Sequence, residues 1–300
     1  MQESAITKES TQYISSRKWM EAIDDNAKLS ELSIPGSHET MALYGIASFG
    51  QCQEMNLEDQ LNLGIRFIDI RCKYAGQGDN ANFEIYHGFL SQEATFEDVL
   101  NVVIKFLTDN PSETVLMRVK QEYSEIGDAE FNRVFKQYVQ KNPNWFWDNG
   151  GKNYQIPKLK DIRGKIVVLY NVGGLNFGLS YPHNFNIQDE YQPNSQDEKW
   201  TLVKKHLDTA ESDLSGNQIY LNYLSAAPVW NTPYGVAWGN FATNGEGINV
   251  RARTYFNSKP SIGKNNYGII AMDYVRQSIT ESIILGNFYS KDEVIFVRTY

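Results

Sequence analysis

The feature that most constrains this chain is a recurring alternation. A short β-branched run is followed by turn residues and then by a longer amphipathic segment. The runs are "ELSIP" (31–35), "RFIDIR" (66–71), "FEIYH" (83–87), "TVLMRVK" (114–120), "KIVVLY" (165–170), "FNIQD" (185–189), "IYLNYLS" (219–225) and "GIIAMD" (268–273). Between them lie helical patterns at Leu57 to Leu63, 96–110, 128–140 and 197–214, with apolar residues three and four apart. "NPSET" (110–114) ends one helix and starts a strand. Strands alternating with helices favour parallel strands joined by crossovers. About eight runs in 300 residues predict a single α/β domain over 1–300, a distorted (β/α)8 TIM-type barrel with 1–16 as a loosely held N-terminal segment. An open doubly wound sheet is the competitor, and no Gly-rich dinucleotide fingerprint follows the first run.

Composition narrows function. A formal charge of −8 argues against non-specific nucleic-acid binding, which needs a basic face, and against strong adsorption to anionic membranes. With 41% hydrophobic residues the chain has material for a sizeable core. No run is long enough for a membrane span, and "MQESAITKES" lacks the apolar stretch of a signal peptide. That leaves an intracellular protein or a mature secreted form, and localisation stays undecided. Two cysteines, Cys52 and Cys72, make no disulfide framework, and their pairing is left open.

In a barrel the reacting groups stand at the C-terminal ends of the strands. The runs end in His38 and Glu39, Asp69 and Arg71, His87, Lys120 and Glu122, Asn171, Asp189 and Tyr191, and Asp273. Side chains alternate along a strand, so Asp69 and Arg71 share a face opposite Ile68, Ile70 and Cys72. The charged pair then points into the barrel, where it is either a structural ion pair or part of a site. For His38 alone, a loop histidine bonding its own backbone is the plainer reading. Its place behind Pro35-Gly36 at a strand exit, and His87 at another exit, favour a site. His183 and His206 read as solvated bystanders. Two histidines with Arg71 and Lys120 suggest phosphoryl chemistry: a base, an acid and cations for the anionic oxygens. A hydrolytic Zn site usually needs three converging ligands with an open position, and the cation position here is filled by a side chain.

The stretches "SIPGSHET", "RFIDIR", "YHGFL", "NPSETVLMRVKQEY", "GKIVVLY", "IQDEY", "WNTPY" and "GIIAMDY" resemble, in order, those of bacterial phosphatidylinositol-specific phospholipase C. The resemblance runs from about Leu29 to Tyr274. It implies a distorted barrel and a metal-independent cleavage of phosphatidylinositol to diacylglycerol and cyclic 1,2-inositol phosphate, with glycosyl-phosphatidylinositol anchors as a further substrate class. His38 matches the general base and His87 the general acid. Arg71 matches the phosphate-binding cation that calcium replaces in other relatives, and Asp273 the carboxylate orienting the base. Lys120, Asp189 and Tyr191 match the inositol pocket. No cofactor and no metal are implied, and the family is typically secreted.

Two positions depart from the family's pattern. Glu39 stands where aspartate is usual, one methylene longer. Asn171 stands where an arginine commonly holds inositol hydroxyls. Arg118 shares a face with Lys120 and is a candidate for supplying the missing cation; the alternative is an arginine paired to Asp69 or Glu122 below the site.

For membrane contact the aromatic-rich stretch 225–241, with Trp230, Tyr234 and Trp238, reads as a rim loop, opposed by 42–50. The alternative is a loop folded back on its own core. The expected partner is a phosphatidylinositol-containing surface met transiently by a monomer. Competing functions are a Mg²⁺-dependent glycerophosphodiesterase-like or sphingomyelinase D-like enzyme on the same barrel, and an inositol-lipid binder weakened by the changes at 39 and 171.

Overall fold

The computed structural model describes residues 11–46, 50–150, 155–170, 177–240 and 245–297. Eight parallel strands curl into a nearly closed barrel: β1 (Ile34–Ser37), β2 (Phe67–Ala75), β3 (Val115–Gln121), β4 (Ile166–Tyr170), β5 (Leu179–Ser180), β6 (Phe185–Gln188), β7 (Ile219–Tyr223) and β8 (Ile269–Met272). Each pairs with the next and β8 returns to β1, but β5 and β6 do not pair. Only four residues separate that pair, too few for a crossover helix. The barrel is therefore distorted at this seam.

Seven of the eight runs read from the sequence are barrel strands. The exception is 83–87. Asn82–His87 pairs antiparallel with the upper half of β2 and continues through a hairpin to Leu90–Thr95. The eighth barrel strand is the two-residue β5, too short to leave a periodic signal. The helical patterns are seen at α1 (Leu57–Asn62), α2 (Phe96–Asp109), α3 (Asp128–Lys141), and, after a one-turn α4 (Leu159–Ile162), α5 (Gln196–Ser212). Three more follow: α6 (Pro233–Trp238), α7 (Ile248–Asn257) and α8 (Gln277–Leu285). Thr95 caps α2 reciprocally with Asp98, a capping box.

Strand alternation divides the apolar residues into two clusters. Ile68, Ile70 and Cys72 of β2 pack outward with Val99, Val103 and Phe131 of α2 and α3. Phe67, Leu116, Leu169, Leu221, Ile269 and Ala271 face inward and fill the lower barrel. Pro35-Gly36 lies inside β1 (Ile34–Ser37), so the strand exit falls after Ser37. A Cβ on Gly36 would sit 2.7 Å from the Phe67 ring, so glycine makes room for the plug.

The barrel base is closed by the N-terminal segment. Gln12–Ile14 pairs parallel with Val294–Phe296, Ile14 is buried, and Trp19 and Met20 pack under the strands. Residues 12–16 are thus pinned rather than loosely held, because the backbone finds a strand partner and Ile14 an apolar one; 1–10 lie outside the described residues. Cys52 and Cys72 are both free and buried.

Candidate active site

Above the apolar plug the inward positions turn polar. Register places Asp69 beside Arg118 on adjacent strands, and one step higher Arg71 beside Lys120. His38 and Asp273 follow the ends of β1 and β8, strands that pair with each other. The backbone then does the same thing four times. Glu39, Gly88, Tyr123 and Tyr274, the residues directly after His38, His87, Glu122 and Asp273, have φ of 43°, 53°, 46° and 49°. Three of these are not glycine, so left-handed geometry is held there at a cost. Each turns the chain sharply at an exit, leaving the preceding side chain over the mouth.

A cleft of about 630 Å³ opens at these strand exits. His38, Glu39, Arg71, His87, Lys120, Asp189, Tyr191 and Asp273 all face it. Asn171 lies outside the described residues.

His38 Nδ1 is 2.8 Å from Asp273 Oδ1. A carboxylate only accepts, so Nδ1 carries the proton and the neutral ring keeps a lone pair at Nε2. Burial alone would lower the His38 pKa; the adjacent Asp273 charge and its hydrogen bond, with Glu39 and Asp69 behind, outweigh it and leave the pKa raised. His87 Nδ1 is 2.6 Å from the Gly50 carbonyl, which again fixes the proton on Nδ1 and leaves Nε2 outside that contact.

Arg71 is held from below by Asp69 in a two-point contact, Nε to Oδ1 at 3.0 Å and Nη2 to Oδ2 at 2.9 Å. Its remaining arm, Nη1, makes longer contacts to Glu39 (3.2 Å) and Glu122 (3.4 Å). Burial would raise the Asp69 pKa, but the Arg71 and Arg118 charges win and hold it far below the usual carboxylate range. Burial pushes the Glu39 pKa up, against the pull of Arg71. The Lys120 pKa is lowered by burial and by repulsion from Arg71. Glu39, Asp69 and Glu122 thus converge on a guanidinium.

Arg118 does not line the cleft. It sits one layer down, Nη1 2.8 Å from the Tyr223 hydroxyl and 3.5 Å from Asp69, with its guanidinium over the Tyr181 ring. The alternative reading, pairing to Asp69 below the site, is the one observed. It follows from strand alternation: position 118 is level with 69, not with 71.

The rim also differs from expectation. Residues 233–238 form α6 rather than an open loop. The Trp230 and Trp238 indole N–H groups donate to the Pro193 and Tyr274 carbonyls at 2.8 and 2.9 Å, and both rings are half-buried. Tyr234 packs edge-on against Tyr274. Tyr234 stays 37% exposed, and the mouth also exposes Ile46, Phe89 and Tyr191, at 59%, 65% and 58%, with Val229, next to cleft-lining Pro228, at 103%. Phe89 occupies the hairpin tip, between strand ends at His87 and Leu90. The signal for it was "HGFL", a bulky apolar residue at a turn where polar residues are usual.

Sequence reasoning also undervalued Glu122, whose carboxylate accepts from the Gly88 N–H (3.0 Å) and so ties the His87 turn to the Arg71 cluster. Cys52 was not singled out, yet it lines the cleft beside Asp273. His206 is not solvated: it is half-buried against Tyr220, and burial lowers its pKa to about 4.

The family described as "Phosphatidylinositol-specific phospholipase C, X domain" matches residues 25–171. The 1-phosphatidylinositol phosphodiesterase of Listeria monocytogenes is 30% identical, over 92% of this chain and 87% of that one. This chain belongs to the phosphatidylinositol-specific phospholipase C family. The solved structure of the Listeria phospholipase C overlays with a TM-score of 0.77, covering 92% of this chain and 100% of that one. The Staphylococcus aureus phosphodiesterase is 28% identical, over 74% of this chain and 80% of its own length. A solved Staphylococcus aureus phospholipase C overlays at a TM-score of 0.74, with 25% identity and 90% and 97% coverage. The α/β barrel of this phospholipase C family is therefore the fold of the chain, as its sequence predicts.

Proposed function

We propose that the protein cleaves phosphatidylinositol in two proton-transfer steps without a bound metal. The observation that carries this reading is the pairing of two tautomerically fixed histidines on one cleft with a guanidinium between carboxylates. His38 Nε2 takes the proton of the inositol 2-hydroxyl. The freed oxygen attacks phosphorus in line, and His87, entering as imidazolium, gives its Nε2 proton to the departing diacylglycerol oxygen. The new P–O bond closes a five-membered cyclic 1,2-phosphodiester, and the P–O bond to diacylglycerol breaks. Asp273 holds the positive charge that His38 acquires.

Arg71 meets the phosphoryl oxygens with Nη1, whose contacts to Glu39 and Glu122 are the long ones, while Asp69 keeps the fork aimed upward. Lys120 and Asp189 bond inositol hydroxyls, and Tyr191 covers the ring face. Glu39, reaching Arg71 at 3.2 Å, keeps the charge of the family's usual aspartate at this place. The solved Staphylococcus aureus relatives include a study of modulated membrane binding. For this chain the exposed Ile46, Phe89 and Val229 are the groups that meet the lipid surface.

The test is turnover on phosphatidylinositol vesicles followed by phosphorus NMR. The cyclic phosphodiester should appear before any acyclic phosphate, at a rate unchanged by EDTA. An acyclic first product, or loss of activity on chelation, would overturn the mechanism.

A further inference from the structure

The base and its carboxylate belong to a three-residue donor set whose third member, Cys52, the proposed reaction does not use. One ring nitrogen of His38, the Cys52 thiol and a carboxylate oxygen of Asp273 lie within 4.8 Å of one another, and all three residues line the cleft. The arrangement is built rather than incidental. The Cys52 carbonyl accepts from the Tyr274 N–H at 2.7 Å, and the Cys52 N–H donates to the Ala42 carbonyl at 2.9 Å. Next along the chain, fully buried Gln53 donates to the carbonyls of His38 and Met272 at 2.8 and 2.9 Å. The Cys52 backbone is thereby fixed beside the His38–Asp273 pair.

We propose that His38, Cys52 and Asp273 form a binding site for a borderline-soft divalent metal ion such as Zn²⁺, and that its occupancy switches off the base. Imidazole, thiolate and carboxylate are the donors such an ion prefers, and hard Mg²⁺ or Ca²⁺ gains nothing from sulfur. Tetrahedral bonds of about 2.0–2.3 Å place donors about 3.5 Å apart, so the 2.8 Å His38–Asp273 pair has to open by about 0.7 Å and the sulfur, within 4.8 Å of both partners, to close by at most about 1.3 Å. The fourth position faces the cleft.

Binding exchanges a proton for the metal. The Cys52 S–H bond breaks, its proton goes to solvent, and sulfur bonds the ion. The His38 proton leaves Nδ1 for Nε2 as the metal takes the Nδ1 lone pair. A ring metallated at Nδ1 and protonated at Nε2 has no lone pair for the inositol hydroxyl. Inhibition therefore rests on His38 being the base; binding does not. Burial and the Asp273 charge hold the Cys52 thiol protonated in the free protein, so the ion must displace that proton.

The test loads chelator-treated, full-length protein with Co²⁺ and then Zn²⁺. Co²⁺ should bind once and give a near-ultraviolet sulfur-to-cobalt charge-transfer band, and Zn²⁺ should displace it. Cys52→Ser should abolish the band and weaken Zn²⁺ at least tenfold, whereas Cys72→Ala should keep both. Circular dichroism checks folding; should Cys52→Ser unfold, Asp273→Asn is expected to weaken binding tenfold and retain the band. Absence of the band in the parent protein, or equal Zn²⁺ affinity in Cys52→Ser, overturns the site. In the same samples Zn²⁺ should stop phosphatidylinositol turnover and EDTA restore it. Binding without inhibition overturns the switch, and turnover without binding overturns the site while leaving the proposed reaction intact.

Discussion

At the residue scale the active-site proposal depends on which ring nitrogen is free. Both histidines have Nδ1 tied to an acceptor, and the two partners differ: a carboxylate at His38 and a carbonyl at His87. At His38 the full charge of the carboxylate stabilises the charged ring and leaves its pKa raised. The acid limb of kcat/KM reports the His38 ionisation and should lie above the ordinary histidine value of about 6.5. Asp273→Asn removes the raising charge and leaves burial, so that limb should move to lower pH as the rate falls. A limb that stays put would show that another group titrates there. The linkage has a definite sign. A raised folded pKa stabilises below about pH 6.5 and loses that contribution as pH rises through the folded value. His38→Ala should therefore destabilise more at about pH 6 than at about pH 9, by urea midpoint.

Arg118 gives the second residue-scale prediction. Its guanidinium is buried against Asp69, Tyr223 and Tyr181. Arg118→Ala should cost about 3–5 kcal/mol of stability, the range for breaking a buried pair from one side. The KM for inositol substrates should hardly change. A large rise in KM with little loss of stability would put Arg118 in the binding pocket.

At the element scale, legibility followed signal length. α2, α3 and α5 are long and periodic, and their sequence-derived bounds agree with the structure within two residues. The apolar strands β2, β3, β4, β7 and β8 were equally plain. What failed was short or irregular. β5 has two residues, and the Asn82–His87 strand carries the same β-branched pattern as a barrel strand while pairing antiparallel. At the rim Trp230 and Trp238 are half-buried with each indole N–H on a carbonyl, while the shorter apolar tips Phe89 and Val229 are exposed. Phe89→Ser and Val229→Ser should each weaken vesicle association on the order of tenfold, about 1.4 kcal/mol. Hydrolysis of water-soluble cyclic inositol phosphate should be preserved. Equal losses on both substrates would move the rim's role from lipid contact to the pocket.

At the scale of the whole molecule, parallel strands bring residues 38, 71 and 273 to one mouth and an antiparallel hairpin adds residue 87, although the chain separates them by up to 235 positions. The sequence carried this because polar residues gathered at the ends of apolar runs. It could not carry depth: alternation tells which face a residue takes, but register between strands decides that Arg71 is level with Lys120 and Arg118 with Asp69. Nor could it show that Cys52, from a connecting segment, reaches the base.

The most direct test of the two-histidine scheme varies the leaving group. With kcat/KM measured for inositol phosphodiesters bearing an alkyl or an aryl leaving group, a weakly basic aryloxide needs no acid. His87→Ala should lose several orders of magnitude on the alkyl substrate and recover most of it on the aryl one, whereas His38→Ala should be poor on both. If His87→Ala is impaired equally on the two substrates, or His38→Ala is rescued by the aryl group, the assignment of acid and base is wrong.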